Sequence, residues 1–252
     1  MRILHALLFC LSVATTQAFD HSDLTEILKK NVQKGQVDYA ALANHPDPLD
    51  AYLERLAQVS QAEFSSWQEN EQIAFLTNLY NATTLQVVAE HYPVETIREI
   101  FKGPLTPTAV STAVWKKDLV SLFGEAISLN HLEHEILRKD YQEPRIHFAL
   151  VCAAISCPPL RSEAYTGERL GAQMDEQARI FFAEEEKNRL DPQTGTLFLS
   201  PIVGNWFKED FTKTGQTLQE FVTPYFPKKT QPLLRAQRFQ IKDTPYDWGL
   251  ND

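Results

Sequence analysis

The stretch Glu69–His91 constrains this chain more than any other. Ile73, Phe75, Leu76, Leu79, Tyr80, Leu85, Val87 and Val88 recur at helical spacing and spread over more of the helix surface than one apolar stripe. Such a helix must be covered on several sides, so the spacing predicts a central, buried helix that Tyr92-Pro93 terminates. Glu71, Asn78, Tyr80 and Asn81 stand in the same stretch. Burying an unpaired polar group costs roughly 1–3 kcal/mol. These residues are therefore expected to form a network that fixes neighbouring loops or, for Glu71 and Asn78 about two turns apart on one face, to point together into a polar pocket.

The remaining pattern is helical first and mixed afterwards. Residues 21–32, with Ser22 as cap and Leu24, Ile27 and Leu28 on one face, read as an amphipathic helix. Residues 48–57 repeat the pattern with Leu49, Tyr52, Leu53 and Leu56. From Leu119 the period becomes that of strands, and residues 119–129 read as a hairpin turning at Gly124-Glu125. Asn130 is then expected to cap a short helix through Arg138. Residues 145–153 have the length and apolar density of a central strand, which the chain must leave at Ser156-Cys157-Pro158-Pro159. Helix returns over 167–184 and 217–225, and strand over 196–203 and 238–242. Segregated helices followed by mixed strands predict the α+β class, a helical N-terminal half packed on a mixed or antiparallel sheet. No repeat, low-complexity tract or long polar linker divides residues 19–252, which read as a single domain.

The first 18 residues read differently. Arg2 precedes an apolar run from Ile3 to Val13 and then Ala14-Thr15-Thr16-Gln17-Ala18, the order of a secretory signal cleaved after Ala18. The run falls short of the about 20 apolar residues of a membrane span, and Phe9 is too large to precede a lipidated Cys10. A periplasmic or secreted protein is expected, with no transmembrane segment after cleavage. A formal net charge of −9 argues against a nucleic-acid partner, and the paired lysines at 29–30, 116–117 and 228–229 read as solvated faces. A small molecule or peptide is the expected ligand.

With Cys10 removed, Cys152 and Cys157 remain. In an oxidising compartment they are candidates for a disulfide, which for so short a loop contributes about 2 kcal/mol in the chain-entropy picture. In the other reading one thiol is a nucleophile, served by a base and by a group that orients the base. Cys157 follows the expected strand on a proline-stiffened turn that presents the sulfur instead of packing it. His147 opens that strand, and alternation places it on the opposite face from Cys152, leaving Cys157 as its better partner. His131 and His134 have a spacing that zinc can use, but no His-Glu-x-x-His and no evident third ligand accompany them, so no metal is expected. The lack of glycine-rich phosphate-binding patterns predicts no nucleotide cofactor.

Asn70-Glu71-Gln72 through Asn81-Ala82, Leu129-Asn130-His131-Leu132-Glu133-His134 through Arg138, and Arg145-Ile146-His147 through Cys152 to Ser156-Cys157-Pro158-Pro159-Leu160-Arg161 together resemble the bacterial family called domain of unknown function 547, DUF547. The ending Pro245-Tyr246-Asp247-Trp248-Gly249-Leu250-Asn251-Asp252 resembles that family's usual close. The resemblance implies no established activity. The enzymatic relationship most consistent with it is to papain-like cysteine hydrolases, with Cys157 or Cys152 as nucleophile, His147 or His134 as base, and Glu71 or Glu133 as orienting carboxylate. Two functions are thus expected: a cysteine-dependent hydrolase or transferase acting on an amide or small thiol peptide, or a non-catalytic binding or envelope module with a Cys152–Cys157 disulfide.

Overall fold

The computed structural model describes residues 18–252, so the expected signal segment, Cys10 included, lies outside them except for Ala18. Among the described residues no helix is long and apolar enough to cross a membrane.

Glu69–His91 is one continuous helix, and every side chain from Ile73 to Leu85 is buried. Tyr39–Asn44 and Asp47–Ala57 pack directly against it, and Ser22–Asn31 packs on those two. Leu24, Ile27 and Leu28 on the first helix and Leu49, Tyr52 and Leu56 on the third face inward, as their spacing requires. His21 occupies the cap position assigned to Ser22, whose N–H and hydroxyl instead donate to Asp20. The strands Asp118–Leu122 and Glu125–Ser128 form the expected antiparallel hairpin, with Phe123 and Gly124 both at positive φ in the turn. Ser128 caps the next helix, its hydroxyl accepting from the His131 N–H at 3.1 Å, in place of Asn130.

The fold is α+β, with one difference in how its parts meet. The three-stranded mixed sheet pairs Arg189–Asp191 antiparallel and Gln240–Asp243 parallel to the central Thr196–Leu199. It packs into a second apolar cluster around Phe148, Phe181, Phe182 and Phe211, while the N-terminal helices meet the hairpin. Strands of three and four residues offer too little face to cover a 23-residue helix, so helices and loops do most of that work.

Residues 145–153 are not a strand. Pro144–Phe148 is a 3-10 turn, and the chain beyond it is irregular until Cys157. The reason lies in the buried helix. Asn81 donates to the Ala149 carbonyl and accepts from the Val151 N–H, both at 2.9 Å, so one side chain satisfies the backbone groups a neighbouring strand would have paired. Asn78 does the same for Tyr165, at 2.8 and 2.9 Å. Glu71 does not join Asn78 in a pocket. It accepts from the Gln68 N–H at 3.1 Å in a capping box at the helix start, with Gly167 pressed so close that a Cβ there would sit 2.3 Å from the Glu71 Cγ.

The cysteine loop is held from two further sides. The C-terminal tail runs along it: Ile155 donates to the Gly249 carbonyl at 2.8 Å, Ser156 to Asp247 at 3.2 Å, and Asn251 donates to Ala153 at 3.2 Å. Beneath it the hairpin Val32–Gln33 and Gln36–Val37 turns at Lys34-Gly35, both at positive φ, against Pro159. A Cβ on Gly35 would lie 2.3 Å from the Pro159 Cβ and 2.9 Å from its Cα. Gly35→Ala is therefore expected to destabilise by about 2–4 kcal/mol, combining left-handed strain with overpacking against backbone. Chemical denaturation measures it, and a loss below about 0.5 kcal/mol would show that the turn yields freely.

Candidate functional site

A cavity of about 330 Å³ opens where these loops converge. Two of its walls are π-helical. Leu132–Leu137 supplies Glu133 and His134, and Ile202–Trp206 supplies Ile202 and Trp206. Such turns are rare and recur at functional sites, because the extra residue per turn re-aims side chains that an α-helix would turn aside. Tyr80 enters from the buried helix, His147 from the 3-10 turn, Trp115 from the short helix Ala113–Lys116, and Tyr246 and Trp248 from the tail.

His147 is the best-anchored polar group in the cavity wall. Its side chain is 1% exposed, its ring stacks on Phe207 with centroids 3.9 Å apart, and its Nε2 lies 2.8 Å from the Asp210 Oδ2. An ionised carboxylate only accepts, so Nε2 carries the proton and Nδ1 presents its lone pair. Nδ1 lies 3.8 Å from the Glu133 Oε1, close but beyond a direct hydrogen bond. Burial lowers the His147 pKa to about 4 against the opposing pull of Asp210. For Asp210, burial alone would raise the carboxyl, yet hydrogen bonds from His147, Arg138 and Lys213 outweigh it and hold the group well below the usual carboxylate range. Arg138 Nε reaches Asp210 at 2.6 Å and Lys213 Nζ at 2.7 Å.

Glu133 has the opposite character. Its side chain is 12% exposed, and burial raises it to about 7, with Arg138 and the Tyr80 hydroxyl opposing in part. The site therefore holds a fixed carboxylate at Asp210, a neutral imidazole, and a carboxyl that exchanges its proton near neutrality. His134 is committed elsewhere. Its Nδ1 accepts from the Arg138 guanidinium at 2.7 Å, and burial followed by Arg138 lowers its pKa.

Cys152 and Cys157 form a disulfide. Both border the cavity, but their packing is the reverse of the expected one: Cys157 is 2% exposed, whereas Cys152 is only partly buried. Since 145–153 is not a strand, alternation no longer separates His147 from Cys152, and both face the same space. The Tyr246 hydroxyl lies 3.2 Å from the Cys152 sulfur and 3.3 Å from that of Cys157.

The expected residues Cys152, Cys157, His147, His134 and Glu133 thus meet at one cavity, while Glu71 lies outside its lining. Residues 64–182, which carry all six, match the family described as Protein of unknown function, DUF547. The chain is a DUF547 domain-containing protein. No curated protein and no solved structure matches it. A papain-like relationship is not supported: the two sulfurs are bonded to each other, and neither begins a helix whose N-terminus would activate a thiolate. The DUF547 stretch supplies Glu133, His134, His147 and both cysteines to the cavity. The lining residues Trp206, Phe207, Tyr246 and Trp248 come from beyond it, as does Asp210, which lies outside the lining and holds His147. Of these, the closing motif held a signal for Tyr246 and Trp248, while no local pattern distinguishes Asp210 from any other acidic residue on a short helix.

Proposed function

We propose that this DUF547 protein is an exported binding protein whose cleft holds a small ligand with a flat ring face and a hydrogen-bonding edge. The observation that carries this reading is the aromatic wall over an ionisable floor. Tyr246 packs against both Trp206 and Trp248, with centroids 4.7 and 4.6 Å away, those two indoles stack on each other at 5.8 Å, and Trp115 meets Trp248 edge-on at 6.0 Å. Trp206 stands 44% exposed at the rim, where a ligand ring can cover it. The cavity volume is at the lower end for small-ligand pockets, enough for one ring and its substituents. Glu133 and His147 offer a donor and an acceptor for the ligand's polar edge. The signal-like first residues and the paired cysteines support an oxidising compartment outside the cytoplasm.

Three of the chain's four tryptophans line the cavity, which makes intrinsic fluorescence a direct reporter. Titration with monosaccharides, disaccharides and aromatic dipeptides is expected to give saturable quenching by one class, and Trp206→Ala to weaken it about five- to tenfold through lost stacking. No saturable response from either class at millimolar concentration would reject the reading. The cysteine-hydrolase reading draws on the His147–Asp210 pair beside Glu133. It requires a free thiolate, so amide cleavage should appear only after reduction.

A further inference from the structure

We propose that the Cys152–Cys157 disulfide is a thiol–disulfide exchange centre, in which a thiol entering the cleft attacks Cys152 and Cys157 departs as the stabilised thiolate. The inference rests on the cleft being the ligand site. It goes beyond binding by assigning the sulfurs a reaction and an order.

Position supports the order. Exchange needs a sulfur within reach of an incoming thiolate and a second that leaves easily. Both residues border the cavity, but Cys152 is only partly buried, whereas Cys157 is 2% exposed and belongs to the core. The groups around Cys157 suit a departing anion. The Cys152 backbone N–H points at the Cys157 Sγ at 3.0 Å, a donor already aimed where negative charge develops when the S–S bond breaks. Tyr246, whose hydroxyl burial keeps protonated, touches both sulfurs and can donate to either one. Lys187, paired with Glu184 at 2.8 Å, donates to the Cys157 carbonyl at 2.7 Å and so fixes the backbone of that residue.

The loop is also built to keep its shape when the bond opens. Ile155, Ser156 and Ala153 are hydrogen-bonded to the C-terminal tail, Val151 and Ala149 to Asn81, and the Pro159 carbonyl accepts from Gln177. None of these bonds needs the disulfide. A staple that holds a loop in place would be redundant here, whereas a centre that cycles between two states requires this support.

The chemistry balances with a low-molecular-weight or peptide thiol as co-reactant. A thiolate RS⁻ attacks the Cys152 Sγ; the RS–Sγ bond forms as the Sγ–Sγ bond breaks, and the electron pair leaves on Cys157. A second RS⁻ then attacks the R sulfur of the mixed disulfide and releases RSSR and the Cys152 thiolate. Two thiols are oxidised to one disulfide, and the protein disulfide is reduced to two thiols.

The full chain is tested with glutathione in a Cys10→Ser background, which serves as the wild type, so that Cys152 and Cys157 are its only cysteines. In the native wild type, reduced glutathione should open the disulfide without unfolding, followed by mass after alkylation while far-UV circular dichroism stays constant. With oxidised glutathione, folded Cys157→Ser should gain one glutathione on Cys152 at least tenfold faster than Cys152→Ser gains it on Cys157, and denaturant should erase the difference. Opening of the wild-type disulfide only on unfolding, or equal or reversed labelling of the folded variants, overturns the proposal. Tryptophan quenching by non-thiol ligands is read separately, so a cleft that binds but does not exchange leaves the binding reading standing while this one fails.

Discussion

Asp210→Ala is expected to remove about 3–5 kcal/mol of stability, the largest loss for any single side chain around the cavity. The carboxylate is 7% exposed and receives His147 at 2.8 Å, Arg138 at 2.6 Å and Lys213 at 2.7 Å. Truncation leaves the His147 N–H and the Arg138 guanidinium facing a cavity instead of a charge. The His147 side chain is 1% exposed, and its Nε2 proton loses the carboxylate that accepts it. Lys213→Ala provides the contrast: its side chain is 57% exposed, and removing it should cost less than about 1 kcal/mol. Urea unfolding of both variants measures the difference, and similar small losses would mean that Asp210 contributes as a solvated surface charge.

Glu133→Gln should change how stability depends on pH. In the folded protein Glu133 titrates near 7, against an ordinary value of 4.5. Between those values the folded state holds a proton that the unfolded state has released, so this group's contribution is present at low pH and lost as pH rises to about 7. The loss totals roughly 3 kcal/mol at about 1.36 kcal/mol per pH unit. His147 and His21 act in the opposite sense, since burial lowers them to about 4 and about 3 from 6.5. Below 6.5 the unfolded chain takes up protons on these rings that the folded chain refuses, so their contribution is lost on acidification. In the wild type the slopes of Glu133 and one histidine oppose each other between 4.5 and 6.5. The neutral glutamine removes only the first, so the stability of Glu133→Gln relative to wild type should climb by roughly 3 kcal/mol from pH 4.5 to 7 and then level. A flat difference across that range would place the Glu133 pKa at its ordinary value.

The central helix was legible because its signal is periodic and local. Ile73 to Val88 declare burial on all sides, and Asn78 and Asn81 announce that loops must come to meet them. The failure at 145–153 has the same origin. Apolar density there reports burial, which holds, but it does not report the backbone's partner, and Asn81 supplies that partner from 68 residues away. The cysteines' order of exposure reverses for the same reason, because strand alternation does not operate in an irregular segment. Helical spacing puts Glu71 on a face without saying where along the helix the partners stop; at the third helical position a carboxylate finds its own backbone first.

By itself the sequence determined the buried helix, the hairpin, the α+β class, the kinship with DUF547 and the residue types gathered at the site. These depend on side-chain period and on short contiguous motifs, which the chain carries in one dimension. Only the tertiary structure decided that Asp210 holds His147, that the tail brings Tyr246 and Trp248 to the disulfide, and that Cys157 is the more deeply buried of two cysteines that both border the cleft. Hydrogen bonds and desolvation depend on distance in space, and the groups concerned lie 63 to 94 residues apart along the chain.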